Sequence, residues 1–448
     1  MGEEKTLHKR VLKIALPITI QSILQSSFSV IDQVMVGQLG SICIAGIGLG
    51  GKFASIYSVL INAIAAAAGI MIAQYIGQKD DKEMSRSFWV NTFCAIILSI
   101  IFTIGCIFAS KQIMGAYTQD SETLLVAASY LKIIAAMYLP MALTTLLSTL
   151  LRCMEAAVVP LYATIVGAIL NTSLNYVLIF GKMGFPALGV TGAAVASVIS
   201  QYVTCLLIVI MFFVVYRKNE IHLHPLFWFK KENWAQYLSI LLPILVCEFL
   251  WSLGENVYAA IYGHIGTMEC AAMTLTTPIQ VLMIGALSGL GQAAGIIIGK
   301  DLGEEDYETA YDESKKLMAY GWLGALILTV IIILSRKLYV NIYQVETQVQ
   351  QVAGQILVAF AIILPVKVQN MILGGGIIRS GGKTKYIMMV DMIGTWLVGV
   401  PLGFLMAFVL KAPIPIVYFV LSLEECVRLS ITLILFRGRK WMISLQGN

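Results

Sequence analysis

Hydrophobic residues fill the chain in long runs that short polar segments separate. Most runs reach about 20 residues, which is the length that an α-helix needs to cross a bilayer. The pattern predicts an all-α integral membrane protein with twelve transmembrane helices. The predicted spans lie near residues 11–37, 48–76, 88–109, 124–151, 159–180, 189–216, 237–262, 271–298, 316–335, 350–378, 385–409 and 414–436.

The two halves of the sequence repeat each other at one constant offset in residue number. Gly37 and Gly40 recur as Gly263 and Gly266 at this offset. Such internal duplication is common in membrane transporters. Since each half holds six spans, we expect two pseudo-symmetric six-helix bundles. The predicted domains are an N-terminal bundle, a cytoplasmic linker and a C-terminal bundle: 1–217, 218–236 and 237–448.

Composition and charge agree with a membrane protein. Hydrophobic residues make up 58% and charged residues 12% of the chain, against about 25% charged in soluble domains. Twenty-one Lys and Arg residues fall in loops on the side of the N-terminus and five in loops on the other side. Because cytoplasmic loops carry the excess, we expect a multi-pass plasma-membrane protein with both termini cytoplasmic. The net charge of +5 then reflects topology and does not indicate nucleic-acid binding.

The first span carries one acidic residue, Asp32, among uncharged neighbours. A charge at the centre of a membrane helix costs roughly 2.5–3.5 kcal/mol on insertion scales, so Asp32 is expected to face a cavity or a partner. Gln21, Gln25 and Ser29 share its helical face, which makes them candidates to line a substrate cavity.

The fifth span carries two asparagines one turn apart, Asn171 and Asn175. Neither amide is stable in hydrocarbon without a hydrogen-bond partner. Both lie in the outer half of their span, as Asp32 does in the first. We therefore predict a polar pocket formed by these three residues.

The second half offers different polar groups for a cavity. Glu248, Ser252 and Glu255 lie on one face of the seventh span, and Lys367 and Asn370 lie on the tenth. Glu248 and Lys367 each lie about a dozen residues from the cytoplasmic end of their span. At 1.5 Å per residue, both therefore sit roughly 17 Å from the same membrane face. This depth match predicts an ion pair between Lys367 and Glu248.

Four more charges lie in the last two spans, namely Asp391, Glu424, Glu425 and Arg428. Glu424 and Arg428 stand one turn apart, which suits an ion pair. For these four residues a structural role and a functional role both stay open.

Catalytic and cofactor motifs do not fit this chain. Gly46, Gly48 and Gly51 match GxGxxG, but they open a membrane helix with no preceding strand, and that motif is weak in isolation. The eight cysteines form no CxxC and the four histidines no HExxH. We expect a protein that is not an enzyme, has no catalytic residues and needs no cofactor.

Several segments resemble the multidrug and toxic compound extrusion (MATE) family. The resemblance spans the whole chain and lies chiefly in Asn171–Gly181 with its continuation Gly184–Ala194, in Asp32–Gly40, in Ala73–Gly77, and in the paired turns at Arg152 and Arg379. It implies two six-helix bundles around a central cavity. It also implies export of cationic or amphipathic compounds, driven by inward sodium or protons.

The resemblance also implies a coupling site. Asp32, Asn171, Asn175 and Ser197 fall where the family places the cation or proton site of its first bundle. The coupling ion is then H⁺ or Na⁺, and the only metal expected is Na⁺ at Asp32.

The second bundle departs from the sodium-coupled branch of the family. Acids of that branch would fall near Trp251 and Val368, whereas this chain has Glu248, Glu255 and Lys367 as its second-bundle cavity candidates.

These observations favour a secondary antiporter that works by alternating access. Poor solvation disfavours the charged form of Asp32, so a proton, a sodium ion or a substrate cation can neutralise it. Competition among them would produce exchange. The expected partners are a small cationic or amphipathic substrate and the lipid bilayer, and the protein is expected to be a monomer. The alternatives are a flippase-like exporter of a lipid-linked or other anionic metabolite, and a channel.

Overall fold

The computed structural model of the chain describes residues 2–118, 120–217, 223–224, 231–342 and 346–445. The helices of the first half are α1 (Gly2–Gly37), α2 (Ser41–Gly77), α3 (Asp81–Gly115), α4 (Ser121–Ile134), α5 (Tyr138–Cys153), α6 (Val158–Phe180) and α7 (Gly189–Tyr216). Those of the second half are α8 (Lys231–Ile265), α9 (Thr267–Gly303), α10 (Tyr307–Asn341), α11 (Thr347–Asn370), α12 (Thr384–Met392), α13 (Val400–Phe404), α14 (Ile414–Leu421) and α15 (Glu424–Arg437). The prediction of an all-α membrane protein is confirmed.

Helix boundaries repeat along the chain at the offset seen in the sequence. Four helices of the first half have a counterpart in the second whose first residue lies at this same offset: Ser41 and Thr267, Asp81 and Tyr307, Ser121 and Thr347, Val158 and Thr384. The caps repeat as well. Asp80 accepts hydrogen bonds from the backbone at the start of α3, and Asp306 accepts one at the start of α10. Asp side chains stabilise helix starts in this way by bonding free N–H groups of the first turn.

Eleven helices among the described residues are long and apolar enough to cross a membrane. The twelfth predicted span consists of α14 and α15, two shorter helices that the pair Ser422 and Leu423 separates. Large apolar side chains point outward along these helices; Phe108 and Leu334, for example, are each 78% exposed. An outward apolar surface of this kind suits contact with lipid.

The described residues form two compact units. The N-terminal unit comprises Ile20–Ile72 and Asp80–Trp234. Its core includes the fully buried Tyr57, whose hydroxyl donates to the carbonyl of Tyr138 at 2.6 Å and lies 2.7 Å from Ser99 Oγ. This polar group is therefore satisfied inside the bundle.

The C-terminal unit comprises the residues up to Thr19, the segment Ala73–Lys79 and the residues from Ala235 onward. Two segments that precede the second half in the chain thus pack with it. The predicted linker 218–236 falls largely outside the described residues, and the predicted domain boundaries stay a prediction.

Three segments of the C-terminal unit have the wider turns of a π-helix: Met371–Ile378, Ile393–Gly399 and Leu405–Val409. Such turns commonly occur at functional sites. The second segment contains Gly394 and ends at Gly399. A Cβ on the former would overlap the Arg428 side chain, and a Cβ on the latter would overlap Tyr258 and Glu424. Both glycines therefore leave room for polar groups at the centre of this unit.

Candidate functional site

The polar pocket of the N-terminal unit is built from α1, α6 and α7. Asn175 Nδ2 donates to Asp32 Oδ1 at 2.9 Å, and the same nitrogen lies 3.1 Å from Asn171 Oδ1. Asn171 Nδ2 is 3.4 Å from Ser197 Oγ. Asp32 is partly buried and Asn175 is 2% exposed. The structure therefore brings together the four residues that the sequence suggested for a coupling site.

The orientation of the Asn171 amide decides which of its atoms faces Asp32. With the amide turned so that its nitrogen faces α1, Asn171 donates to Asp32 Oδ1 at 3.1 Å and to Oδ2 at 2.9 Å. In the other orientation an amide oxygen faces the carboxylate, and two acceptors attract each other only through a proton or a cation. The orientation with the nitrogen toward α1 therefore gives an ionised Asp32 its hydrogen-bond donors.

The residue that donates to this carboxylate also carries a buried acceptor. Asn175 Oδ1 is buried and has no hydrogen-bond donor among the described residues. Buried polar atoms are nearly always satisfied in native proteins, so an orphan needs an explanation. Asn175 thus faces Asp32 and Asn171 with its amide nitrogen, while its oxygen is an unused buried acceptor.

The remaining candidates on α1 lie in two settings. Gln21 is 7% exposed, donates to Thr164 Oγ1 at 2.9 Å and accepts from Arg152 at the same distance. Gln25 and Ser29 are exposed. The role of these three residues in a substrate cavity stays a prediction.

The pairing predicted for the second half is wrong. Lys367 Nζ lies 3.3 Å from Glu425 Oε1, whereas Glu248 Oε1 lies 3.7 Å from Arg379. Matching depths along two helices cannot say which way each side chain points around its axis. Arg379, which the charge pattern assigns to a cytoplasmic loop, contacts Glu248 and Cys247 on α8.

Arg428 is the centre of a buried charge cluster. Its guanidinium lies 3.5 Å from Asp391, 3.4 Å from Glu424 and 4.0 Å from Glu425, and it also donates to Thr395. The predicted pair of Glu424 and Arg428 is confirmed.

Neutral groups complete this cluster. Tyr258 donates to Glu424 Oε2 at 2.6 Å, and Asn370 Nδ2 donates to Glu425 Oε2 at 2.8 Å. With Lys367 included, the cluster holds three carboxylates and two cations, so it carries one net negative charge when all are ionised.

Two candidates on α8 stand at the margin of this cluster. Glu255 is exposed and lies near enough to Lys367 and Glu425 to interact with them electrostatically. Ser252 is partly buried, and its backbone carbonyl accepts from Asn256 at 2.7 Å.

Sequence reasoning missed the role of two arginines at helix ends. Arg152 contacts Gln21 on α1, and Arg379 contacts Cys247 and Glu248 on α8. Gln21 and Cys247 are counterparts in the internal repeat, and each contacts an arginine, although Arg152 and Arg379 stand one residue out of register at that offset. The nearly matching positions of the two arginines in the repeat were the signal that the sequence offered.

Among the described ranges, no group of three or more His, Cys, Asp or Glu residues is arranged to hold a metal ion. A cation at Asp32 would therefore depend on amide and hydroxyl oxygens as well as on one carboxylate. Hard cations such as Na⁺ and Ca²⁺ bind carboxylate, amide and hydroxyl oxygens.

Similar proteins were found at the level of family, sequence and fold. The MatE family model matches residues 17–177 and 243–405. A Thermotoga maritima protein named "Probable multidrug resistance protein NorM" is 24% identical over 98% of this chain and 94% of its own length. A Pasteurella multocida protein of the same name is 27% identical over 89% of this chain and 86% of its own length.

Solved structures share the fold along nearly the whole chain. One described as "Crystal structure of MATE in complex with MaL6" superposes with a TM-score of 0.87 at 19% identity, covering 97% of this chain and 96% of its own. An "Outward-facing conformation of a multidrug resistance MATE family transporter of the MOP superfamily" also gives 0.87, at 18% identity and 97% coverage of each chain. With a family match over more than half of its length, this chain belongs to the MatE family of membrane transporters.

Proposed function

We propose that this transporter exports cationic or amphipathic drugs or metabolites in exchange for H⁺ or Na⁺, with Asp32 as the coupling residue. The carrying observation is the pocket in which Asp32 meets Asn171 and Asn175, with a buried amide oxygen that lacks a donor among the described residues. The names of the relatives, which mention multidrug resistance, support the substrate class.

Exchange follows from competition for one carboxylate. A poorly solvated Asp is costly while charged, so it favours a proton, a sodium ion or a cationic substrate as a partner. If only one of these binds at a time, entry of the ion releases the substrate. Alternating exposure of the site to the two sides of the membrane then makes export depend on the ion gradient.

The expected orientation and driving force follow from charge. The excess of Lys and Arg in one set of loops supports cytoplasmic termini in the plasma membrane. Exchange of one monovalent ion for one monovalent drug moves no net charge. The membrane potential, worth about 2.3 kcal/mol per charge per 100 mV, would then contribute nothing.

A flippase-like export of an anionic metabolite has less support. It would require basic residues free to bind an anion. Lys367 is paired with Glu425, and Arg428 is paired with three carboxylates. With all its members ionised, this cluster is negative overall, which favours cations over anions.

The test is transport by purified protein in proteoliposomes, with a sodium gradient or a pH gradient imposed one at a time. The wild type should move ethidium against its gradient under one of the two conditions. Asp32→Asn keeps the shape of the side chain and removes its charge, so ion-driven transport should fall to the level of empty liposomes. Glu122→Gln is the matched control, because Glu122 is an exposed acid in the first turn of α4.

Full ion-driven transport by Asp32→Asn would rule out the coupling role of Asp32. Steady ionic conductance in a planar bilayer, with no dependence on exchange, would show a channel instead.

A further inference from the structure

Helices α2 and α9, which the internal repeat relates, cross at their C-terminal ends inside the C-terminal unit. A Cβ on Gly77 would overlap the backbone of Lys300, and a Cβ on Gly303 would overlap the backbone of Gln74. Gly77 and Gly303 are counterparts in the repeat, and so are Gln74 and Lys300. Each contact is therefore the counterpart of the other, which is the reciprocity that a two-fold axis produces. The helix backbones touch here because neither glycine has a side chain.

One residue at this crossing breaks the symmetry. Gln74 is fully buried, and its Nε2 donates to the carbonyls of Ser380 at 2.5 Å and Ile443 at 3.2 Å. Its Oε1 accepts from the backbone N–H of Leu445 at 2.6 Å. The repeat counterpart, Lys300, has an ammonium group that donates hydrogen bonds but cannot accept them. Only the Gln74 side can therefore bind the backbone in this way.

Two of the three hydrogen bonds of Gln74, those with Ile443 and Leu445, join it to the C-terminal tail, residues 440–445. Trp441 anchors it: this side chain is 1% exposed, stacks on Phe436 with ring centroids 5.7 Å apart, and donates to the Phe436 carbonyl at 3.1 Å. Gln78 adds a hydrogen bond to Ser444 at 3.2 Å. The tail thus connects the end of α15 to the end of α2.

We propose that the C-terminal tail is a latch that holds the α2–α9 crossing closed, and that Gln74 is the residue which engages it. The proposal rests on the alternating access of the proposed function: in it, the change of access includes a separation of the C-terminal end of α2 from that of α9. Gln74 and Gln78 belong to the first half of the chain and the tail to the second. Their hydrogen bonds must break for that movement to occur.

The test measures how often the crossing opens. A single cysteine replaces Ala73, which is fully buried and packs against Gly299, in a background that lacks the eight native cysteines. The rate at which a thiol reagent labels it in detergent micelles then reports opening. Gln74→Ala and truncation after residue 439 should each speed labelling about tenfold or more, since each removes several buried hydrogen bonds.

The matched control is Gln280→Ala. Gln280 lies in the same unit and, like Gln74, both donates and accepts hydrogen bonds. It donates to Thr276 and accepts from Tyr418, and neither partner belongs to the tail. Because these hydrogen bonds do not involve the tail, Gln280→Ala should change the labelling rate by less than about twofold relative to the single-cysteine protein. Equal acceleration by this control would mean general loosening and would overturn the proposal, as would unchanged labelling in Gln74→Ala.

A second pair of variants leaves the Gln74 side chain unchanged. Gly303→Ala places a methyl group where the crossing has no room, so it should also speed labelling at residue 73. Gly48 also lies on α2, but a Cβ there meets nothing within 4 Å, so Gly48→Ala should leave the labelling rate at residue 73 unchanged. Adding Asp32→Asn should leave all these differences in place, so that failure of the coupling role and failure of the latch give different results.

Discussion

The ion pair of Lys367 and Glu425 allows a quantitative test of the buried charge cluster. The two side chains are 24% and 10% exposed, and 3.3 Å separates their charged atoms. Removing one partner of a buried pair costs about 3–5 kcal/mol because it leaves a charge unpaired. For Lys367→Met we expect a loss near the lower end, about 3 kcal/mol. The reason is that Asn370 still donates to Glu425 at 2.8 Å and Arg428 stays within 4.0 Å.

The second variant of the cycle removes both charges. Lys367→Met with Glu425→Gln should come within about 1 kcal/mol of the wild type, since replacing a whole buried pair by neutral groups is often nearly neutral. The measurement is reversible unfolding of the purified protein in mixed micelles with increasing denaturing detergent. Combining the four unfolding free energies gives the coupling between the two residues.

Glu248 supplies the control for this cycle. Because Glu248 pairs with Arg379, adding Glu248→Gln to Lys367→Met should restore none of the lost unfolding free energy. Recovery by Glu248→Gln but not by Glu425→Gln would refute the assignment of partners. It would support the pairing that depth along the helices had suggested.

Two further predictions concern the N-terminal unit and its loops. Tyr57→Phe leaves Ser99 Oγ and the Tyr138 carbonyl without the buried hydroxyl, so the unfolding free energy should fall by about 1–3 kcal/mol while the transport rate per folded molecule stays unchanged. Hydrogen bonding from Thr123 holds the pKa of the Asp120 carboxyl below its usual range. Stability from this cap is present above the unfolded-state pKa of about 3.9 and is lost as the pH falls through the lower folded-state pKa. Asp120→Ala should thus lower the unfolding midpoint at pH 6 and lower it less as the pH falls below about 4; an offset that is the same at every pH would contradict this cause.

The pocket at Asp32 was predictable because it depends on rules that act along a helix. Asn171 and Asn175 are one turn apart, and one turn separates neighbours on a helix face. The cost of an isolated charge or amide in hydrocarbon then requires a partner at the same depth. Few other polar side chains lie in the outer half of these spans, so few other partners for Asp32 were available.

The charge cluster of the second half was predictable only as a set of buried charges. Several acids and bases occupy similar depths there, and depth alone does not choose among partners. The choice depends on how helices rotate and tilt, and on where the backbone makes room. Gly394 and Gly399 lie in π-helical turns beside Arg428 and Glu424, and no local pattern in the sequence marks those contacts.

The sequence by itself determined the membrane class, the positions of the spans and the duplication, because hydrophobic length and a constant repeat offset are properties of the linear chain. It also determined which buried groups need partners. Only the tertiary structure decided that Lys367 meets Glu425, that Gly77 and Gly303 let two helices touch, and that the tail binds Gln74. Those outcomes depend on contacts between residues far apart in the chain, whose geometry is set by the packing of whole helices.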